Sequence, residues 1–249
     1  MTAADTPSSD RTADLARRIA AFPRWHYDFD LAGHSTATPG VTRARRHAQR
    51  LPYLLDSLAA ACGGSLAGRR VLDLGCNAGF WTLHALRRGA AFVRAVDARS
   101  MHLAQAALVL EVEGIDASRH ALSEADLFAV DWAAWGRFDI VLCLGLLYHV
   151  DRPVELFARI AATGATHVLV DTALSRLPGA AFEAREEPLD DPRNAVGSSL
   201  VFWPTSDAVA ALARHAGFTA RVLEPAFGDW SECDDYRDGD RRGFLLTRR

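Results

Sequence analysis

One stretch of the chain has the residue types and spacing of a ligand-binding turn: Val71, Leu72, Asp73, Leu74, Gly75, Cys76, Asn77, Ala78, Gly79. An apolar strand that runs through an acid into two nearby glycines makes a turn whose backbone a ligand can touch, because glycine has no Cβ and adopts positive φ freely. The next apolar run closes on Asp97, an acid placed to hold the hydroxyls of a ribose. Further along, the run from Ile140 ends in the pair Tyr148 and His149. Strand C-terminal ends frame the crevice of a doubly wound sheet, so this pair borders bound ligands. Histidine titrates near neutral pH and suits proton removal from a reacting hydroxyl. His149 is the first candidate base and His26 and His34 the next, each with the alternative of a structural imidazole bonded to backbone.

The elements that must position these residues alternate. Strands are expected at Arg70 to Leu74, Phe92 to Val96, His120 to Leu122, Phe138 to Cys143, His167 to Val170, Thr219 to Leu223 and Gly243 to Thr247. Helices are expected at Phe80 to Arg88, Met101 to Glu113, Val154 to Ala162 and Ser206 to Ala216, the last stopped by Gly217. Repeated βα units with short connections imply a parallel sheet covered on both faces, a Rossmann-like α/β fold in a single domain. Residues 1–11 are polar and expected to be disordered, and 12–61 form a cap over the core at 62–249. Within the cap, Ala13 to Ala21 reads as a short amphipathic helix, Trp25 to Leu31 as an extended flap, and Thr42 to Ala61 as one helix. Residues 172–199 carry prolines, glycines and acids without periodicity, the signature of a functional lid.

The 249 residues are 49% hydrophobic and 24% charged with a net charge of −3, which fits a globular domain and excludes a broad nucleic-acid-coating surface. No membrane span or signal sequence is read, so the expected location is cytoplasmic. Cys62, Cys76, Cys143 and Cys233 lack metal or disulfide spacing, and no metal is expected. All 28 basic residues are arginine, so neither a Schiff base nor a lysine general base can form. Arg43, Arg46 and Arg50 share one helix face, with Arg45 turned away; they read as surface cations or as receivers of a phosphate, a carboxylate or tRNA backbone. The acids Glu183, Glu186, Glu187, Asp190 and Asp191 read as a solvated loop face. Trp25, Tyr27, Phe29, Phe202 and Trp203 are candidate walls for a ring or sugar, or lid packing.

The turn resembles that of the class I S-adenosylmethionine-dependent methyltransferases: Asp73 stands two residues before the first glycine, where nicotinamide and flavin folds favour Gly-x-Gly-x-x-Gly. The resemblance implies seven strands, the last antiparallel, and S-adenosylmethionine as cofactor. Gly75, Cys76, Asn77 and Gly79 would offer backbone N–H groups and a helix N-terminus to the methionyl carboxylate, and Asp73 would accept from its ammonium group. Asp97 and Ala98 would take the ribose, Asp126 and Leu127 the adenine, with Asp131 the competing adenine contact, and Leu144 would border the crevice. Phe22-Pro23, the run Cys143 to His149, Arg152 to Leu156 and Val201 to Ser206 look more narrowly like the tRNA wobble-uridine carboxymethyltransferase family and its relatives, over roughly residues 20–225. That likeness implies that Tyr148 reaches the sulfonium end and that Trp25 and His26 cover it. Members that transfer carboxymethyl use a flap lysine, which this chain lacks; Arg24 or Arg43 differs in geometry, so plain methyl transfer is favoured. The expected acceptor is a hydroxyl of a small molecule, a sugar or secondary metabolite, touching Trp25, Tyr27, His34, Arg43 and Trp203, with tRNA as the alternative partner and no oligomeric state implied. A non-catalytic cofactor-binding protein is the rival from another class.

Overall fold

The computed structural model describes residues 9–191 and 194–249. Seven strands form the central sheet: β3 (Arg70–Leu74), β4 (Phe92–Asp97), β5 (His120–Glu124), β6 (Ile140–Leu144), β7 (His167–Ala173), β10 (Phe218–Leu223) and β11 (Arg241–Arg248). Their order is β10-β11-β7-β6-β3-β4-β5. β11 runs antiparallel to both neighbours, and every other pairing in the sheet is parallel. The sheet is therefore the expected Rossmann-like one, with its last strand reversed.

The central strands read as continuous apolar runs because both faces are covered. Alternate residues feed two cores: Val71, Ile140, Leu142, Leu169 and Leu245 pack into one, and Leu72, Val141, Cys143, Val168, Val170, Phe244 and Leu246 into the other. The first core is closed by α4 (Phe80–Arg87), α5 (Ser100–Val112) and the N-terminal cap; the second by α6 (Pro153–Ala162) and α7 (Ser206–His215). Parallel connections of this kind put the C-terminal strand ends on one edge of the sheet, where the crevice forms.

The cap departs from expectation in two places. Helix α1 spans Ser9–Ala20, so residues 9–11 belong to it rather than to a disordered tail; residues 1–8 lie outside the described residues. The helix expected as one piece from Thr42 to Ala61 is α2 (Ala44–Leu51), a π-helical turn at Pro52–Asp56, and α3 (Ser57–Ala61). Pro52 has no N–H to give the α-helical ladder, and a wider turn absorbs the missing bond. Between α1 and α2 the flap alternates as expected, with Trp25, Tyr27, Phe29 and Leu31 buried, and turns back through the short ribbon of β1 (Asp30–Leu31) and β2 (His34–Ser35). The segment expected to be structureless from 172 to 199 is partly ordered. Its first residues complete β7, and β8 (Phe182–Glu186) pairs antiparallel with β9 (Leu200–Pro204), with the described residues 187–191 and 194–199 outside both strands. Among the described residues no helix is long and apolar enough to cross a membrane, and all four cysteines are free.

Candidate active site

A cavity of about 630 Å³ opens at the C-terminal ends of β3, β4 and β6. The turn after β3 forms its floor. Gly75, Asn77 and Gly79 all take positive φ, +68°, +49° and +78°. A Cβ on Gly75 would lie at an ordinary 3.4 Å from Leu146, whereas one on Gly79 would lie 3.0 Å from Ala106, so the turn is tight on the α5 side. Asp97, at the end of β4, ties this turn to the neighbouring strand. Its Oδ2 accepts from the Asn77 N–H (2.9 Å), and its Oδ1 from the Arg99 N–H (2.9 Å), with His102 Nδ1 at 3.1 Å.

The cavity brings together residues from five parts of the chain: Gly75 and Asn77; Asp97 and Ala98; Asp126 and Leu127; Leu144, Tyr148 and His149; and His26, Tyr27 and Arg43 from the cap. Asp126 is fixed by accepting from the Phe128 N–H at 2.8 Å. Its rival Asp131 instead caps a short 3-10 turn through the Ala133 N–H and is not among the cavity walls. Tyr27 is stacked on Phe80 at 4.7 Å between ring centroids, and burial pushes its phenol up to about 12.

Several expected contacts lie elsewhere. Asp73 is 1% exposed and stands behind the turn, where its Oδ2 accepts from the Thr82 hydroxyl at 2.7 Å; it holds the start of α4 and does not reach the cavity. Burial, reinforced by the Asp97 charge, lifts its carboxyl to about 7, although bonds from Thr82 favour the ionised form. Cys76 and Gly79 are likewise outside the cavity walls, and burial pushes the Cys76 thiol well up. The turn's N–H groups are already engaged: Gly75 and Cys76 donate to Val96 O, Asn77 to Asp97, Ala78 to Asn77 Oδ1, and Gly79 to Cys76 O. The turn thus offers close approach rather than a row of open donors. Trp25 belongs to the core at 2% exposure, its indole N–H donating to Ile19 O at 3.3 Å, and His34 sits in the β1–β2 ribbon away from the cavity. Trp203 lines a second cavity of about 680 Å³, which shares Tyr148, Asp235 and Arg241 with the first.

The arginine face does not read as surface. Arg46 is buried and makes a bidentate pair with Asp235 (2.5 and 2.6 Å). Arg50, Arg241 and Tyr236 converge on Asp171, at 2.5, 2.9 and 2.5 Å, and Asp171 is 0% exposed at the end of β7. Burial works against this carboxylate, but Arg241, Arg50 and the Tyr236 hydroxyl reverse the effect and hold it at about 2. Burial and the adjacent arginines push His47 well below the ordinary imidazole value. Arg43 remains exposed at the cavity rim with no ion pair to a described residue. Asp171, Tyr236, Asp235 and Arg241 are absent from the sequence expectations, because the partners lie 65–189 residues apart in the chain and only the fold joins them. The acidic run is not uniformly solvated either: Glu187 Oε2 lies 2.7 Å from His149 Nδ1, and Asp191 pairs with Arg24 at 2.9 Å.

Sheet order, reversed last strand, glycine turn and strand-end acid together define a Rossmann-like methyltransferase fold. Residues 43–222 match the methyltransferase domain family, and the chain belongs to it. Similar curated proteins include ubiquinone biosynthesis O-methyltransferases of Alkalilimnicola ehrlichii (37% identical over 146 residues, 51% of this chain and 50% of that protein) and Aeromonas salmonicida (29% over 164 residues, 62% and 59%). The chain spans about half the length of the curated relatives it matches. Among solved structures it is similar to the N-terminal domain of EvdMO1 determined in the presence of SAH and D-fucose, 26% identical with a TM-score of 0.72, covering 98% of this chain and 99% of that one. Magnesium protoporphyrin IX methyltransferase from Synechocystis with bound SAM, 15% identical with a TM-score of 0.61 over 99% and 100% of the chains, shares the fold.

Proposed function

We propose that the enzyme transfers a methyl group from S-adenosylmethionine to a hydroxyl of a small molecule, a sugar or secondary metabolite, with His149 as general base. The observation that carries this is the placing of Tyr148 and His149 on the wall of the same cavity as Gly75, Asn77 and Asp97. The walls fit the cofactor: Asp97 and Ala98 for the ribose, Asp126 with Leu127 for the adenine, Leu144 beside them, and a turn in which Gly75 takes positive φ. When bound, the cofactor supplies an electrophilic methyl group on a sulfonium. The chain's own task is to exclude water, align the acceptor for in-line attack and take the hydroxyl proton. With the turn's N–H groups engaged, Arg43 at the rim is the cation for a carboxylate, and Tyr148 and His26 close the sulfonium end.

The O-methyltransferase names of the curated relatives and the D-fucose in the EvdMO1 structure support a hydroxyl acceptor. Against a tRNA acceptor, Arg46 and Arg50 are neutralised by Asp235 and Asp171 rather than presented to a backbone. The absence of a flap lysine favours plain methyl transfer over the carboxymethyl transfer of the tRNA enzymes. Mass spectrometry of a source-organism extract incubated with the enzyme and methyl-labelled S-adenosylmethionine tests the reading. A labelled small-molecule ether supports it, and labelled tRNA overturns it.

A further inference from the structure

Glu187 opens the loop between β8 and β9, 38 residues beyond His149, and its Oε2 lies 2.7 Å from the imidazole Nδ1. The side chains of His149 and Glu187 are only 10% and 14% exposed. An ionised carboxylate accepts and does not donate, so this contact places the ring proton on Nδ1 and leaves a lone pair on Nε2. No described residue hydrogen-bonds that Nε2. The nearest acid in the histidine's own segment, Asp151, pairs with Arg152 instead.

Described residues of the same connection border the crevice. The base of this connection is fixed by the Glu187 N–H donating to Ser199 O at 2.8 Å, its middle by Asp191 on Arg24 of the flap at 2.9 Å, and Asn194 to Ser198 form part of the cavity wall. The group that orients the candidate base is therefore carried on this connection, not on the sheet.

We propose that Glu187 is a positioning residue for His149, holding the imidazole in the tautomer that leaves Nε2 free for the acceptor. This rests on the reading of His149 as general base. In the transfer, the acceptor oxygen bonds to the methyl carbon while the carbon–sulfur bond breaks, leaving its electron pair on sulfur. The hydroxyl proton passes to Nε2, and the imidazolium so formed lies against the Glu187 carboxylate. Without that carboxylate the ring is free to carry its proton on Nε2, which then has no lone pair for the hydroxyl.

The test uses full-length protein with ¹⁵N-labelled histidine and bound S-adenosylhomocysteine at pH 8, the His149 signals being assigned by their loss in His149→Gln. The expected spectrum shows protonated Nδ1 and unprotonated Nε2, and Glu187→Ala moves the proton toward Nε2. Protonated Nε2 in the parent, or an unchanged tautomer in Glu187→Ala, overturns the proposal. In parallel, labelled-methyl incorporation in the extract should fall at least about tenfold in kcat for Glu187→Ala and recover in part in Glu187→Asp. S-adenosylhomocysteine affinity should stay within about twofold, and the double variant with His149→Gln should be no slower than His149→Gln alone. Full turnover by His149→Gln removes the base reading itself. An inactive His149→Gln beside a fully active Glu187→Ala leaves the base reading standing and overturns the role of Glu187.

Discussion

Replacing Asp73 by asparagine isolates the cost of a carboxylate sealed behind the glycine turn. Asp73 is 1% exposed, and burial lifts it from 3.8 to about 7. Between those two values the folded protein keeps a proton that the unfolded chain has released. Stability therefore falls as pH rises from about 4 to about 7, and is level above. Each pH unit in that window is worth about 1.4 kcal/mol, so from pH 5 to pH 8 this one group removes about 2–3 kcal/mol. Asparagine has nearly the same volume, keeps an oxygen for the Thr82 hydroxyl and cannot ionise. The Asp73→Asn protein escapes the loss. For a chain of this length its Tm advantage over the parent should be about 5–10 °C larger at pH 8 than at pH 5. The buried amide adds an offset, but one that is the same at every pH. Thermal melts of ligand-free protein followed by circular dichroism from pH 5 to pH 8 measure the difference. An advantage that does not grow with pH refutes the picture of a carboxylate held in a dry pocket.

Three further outcomes are expected. Asp97→Ala removes the proposed ribose acceptor and the carboxylate that fixes the Asn77 and Arg99 N–H groups, so calorimetry should show S-adenosylhomocysteine binding weakened by about 1.5–3 kcal/mol, roughly ten- to hundredfold in Kd. Asp171→Asn leaves Arg50 and Arg241 buried without their counter-charge and should cost about 3–5 kcal/mol in urea unfolding. The parent's Asp171 contribution is present above its unfolded value of 3.8 and lost as pH falls through about 2, so the gap between the two proteins narrows in acid. Gly79→Ala must hold φ near +78° with its Cβ 3.0 Å from that of Ala106, and a stability loss of about 1–2 kcal/mol is expected in the same assay.

The sheet was legible from sequence because its signal is local. Strands such as Ile140–Leu144 are unbroken apolar runs, since a parallel strand is buried on both faces. The turn from Asp73 to Gly79 and the strand-end acid Asp97 were legible for the same reason: backbone geometry and strand ends write themselves into neighbouring residues. What local sequence left open was the direction in which each acid works. Asp73 and Asp97 both stand at strand ends, yet one is turned under α4 to Thr82 and the other borders the cavity. The π-turn at Pro52 and the β8–β9 hairpin were hidden because a proline in a helical pattern and a short half-exposed strand both read as something plainer.

By itself, then, the sequence determined the class of fold and the place of the glycine turn, because hydrophobic period, glycine and strand-end residues act within a few positions of one another. Only tertiary structure decided which charges meet. Arg46, Arg50, Arg241, Asp171, Asp235 and Tyr236 are scattered along the chain and become an ion network when α2, β7, β11 and the short helix at Asp234–Arg237 pack together. Glu187 likewise reads as one acid in a polar loop until the loop folds over His149. The physical reason is the same in both cases. A charge is neutralised or oriented by whatever lies within a few ångströms, and for these residues that neighbour is supplied by a distant part of the chain.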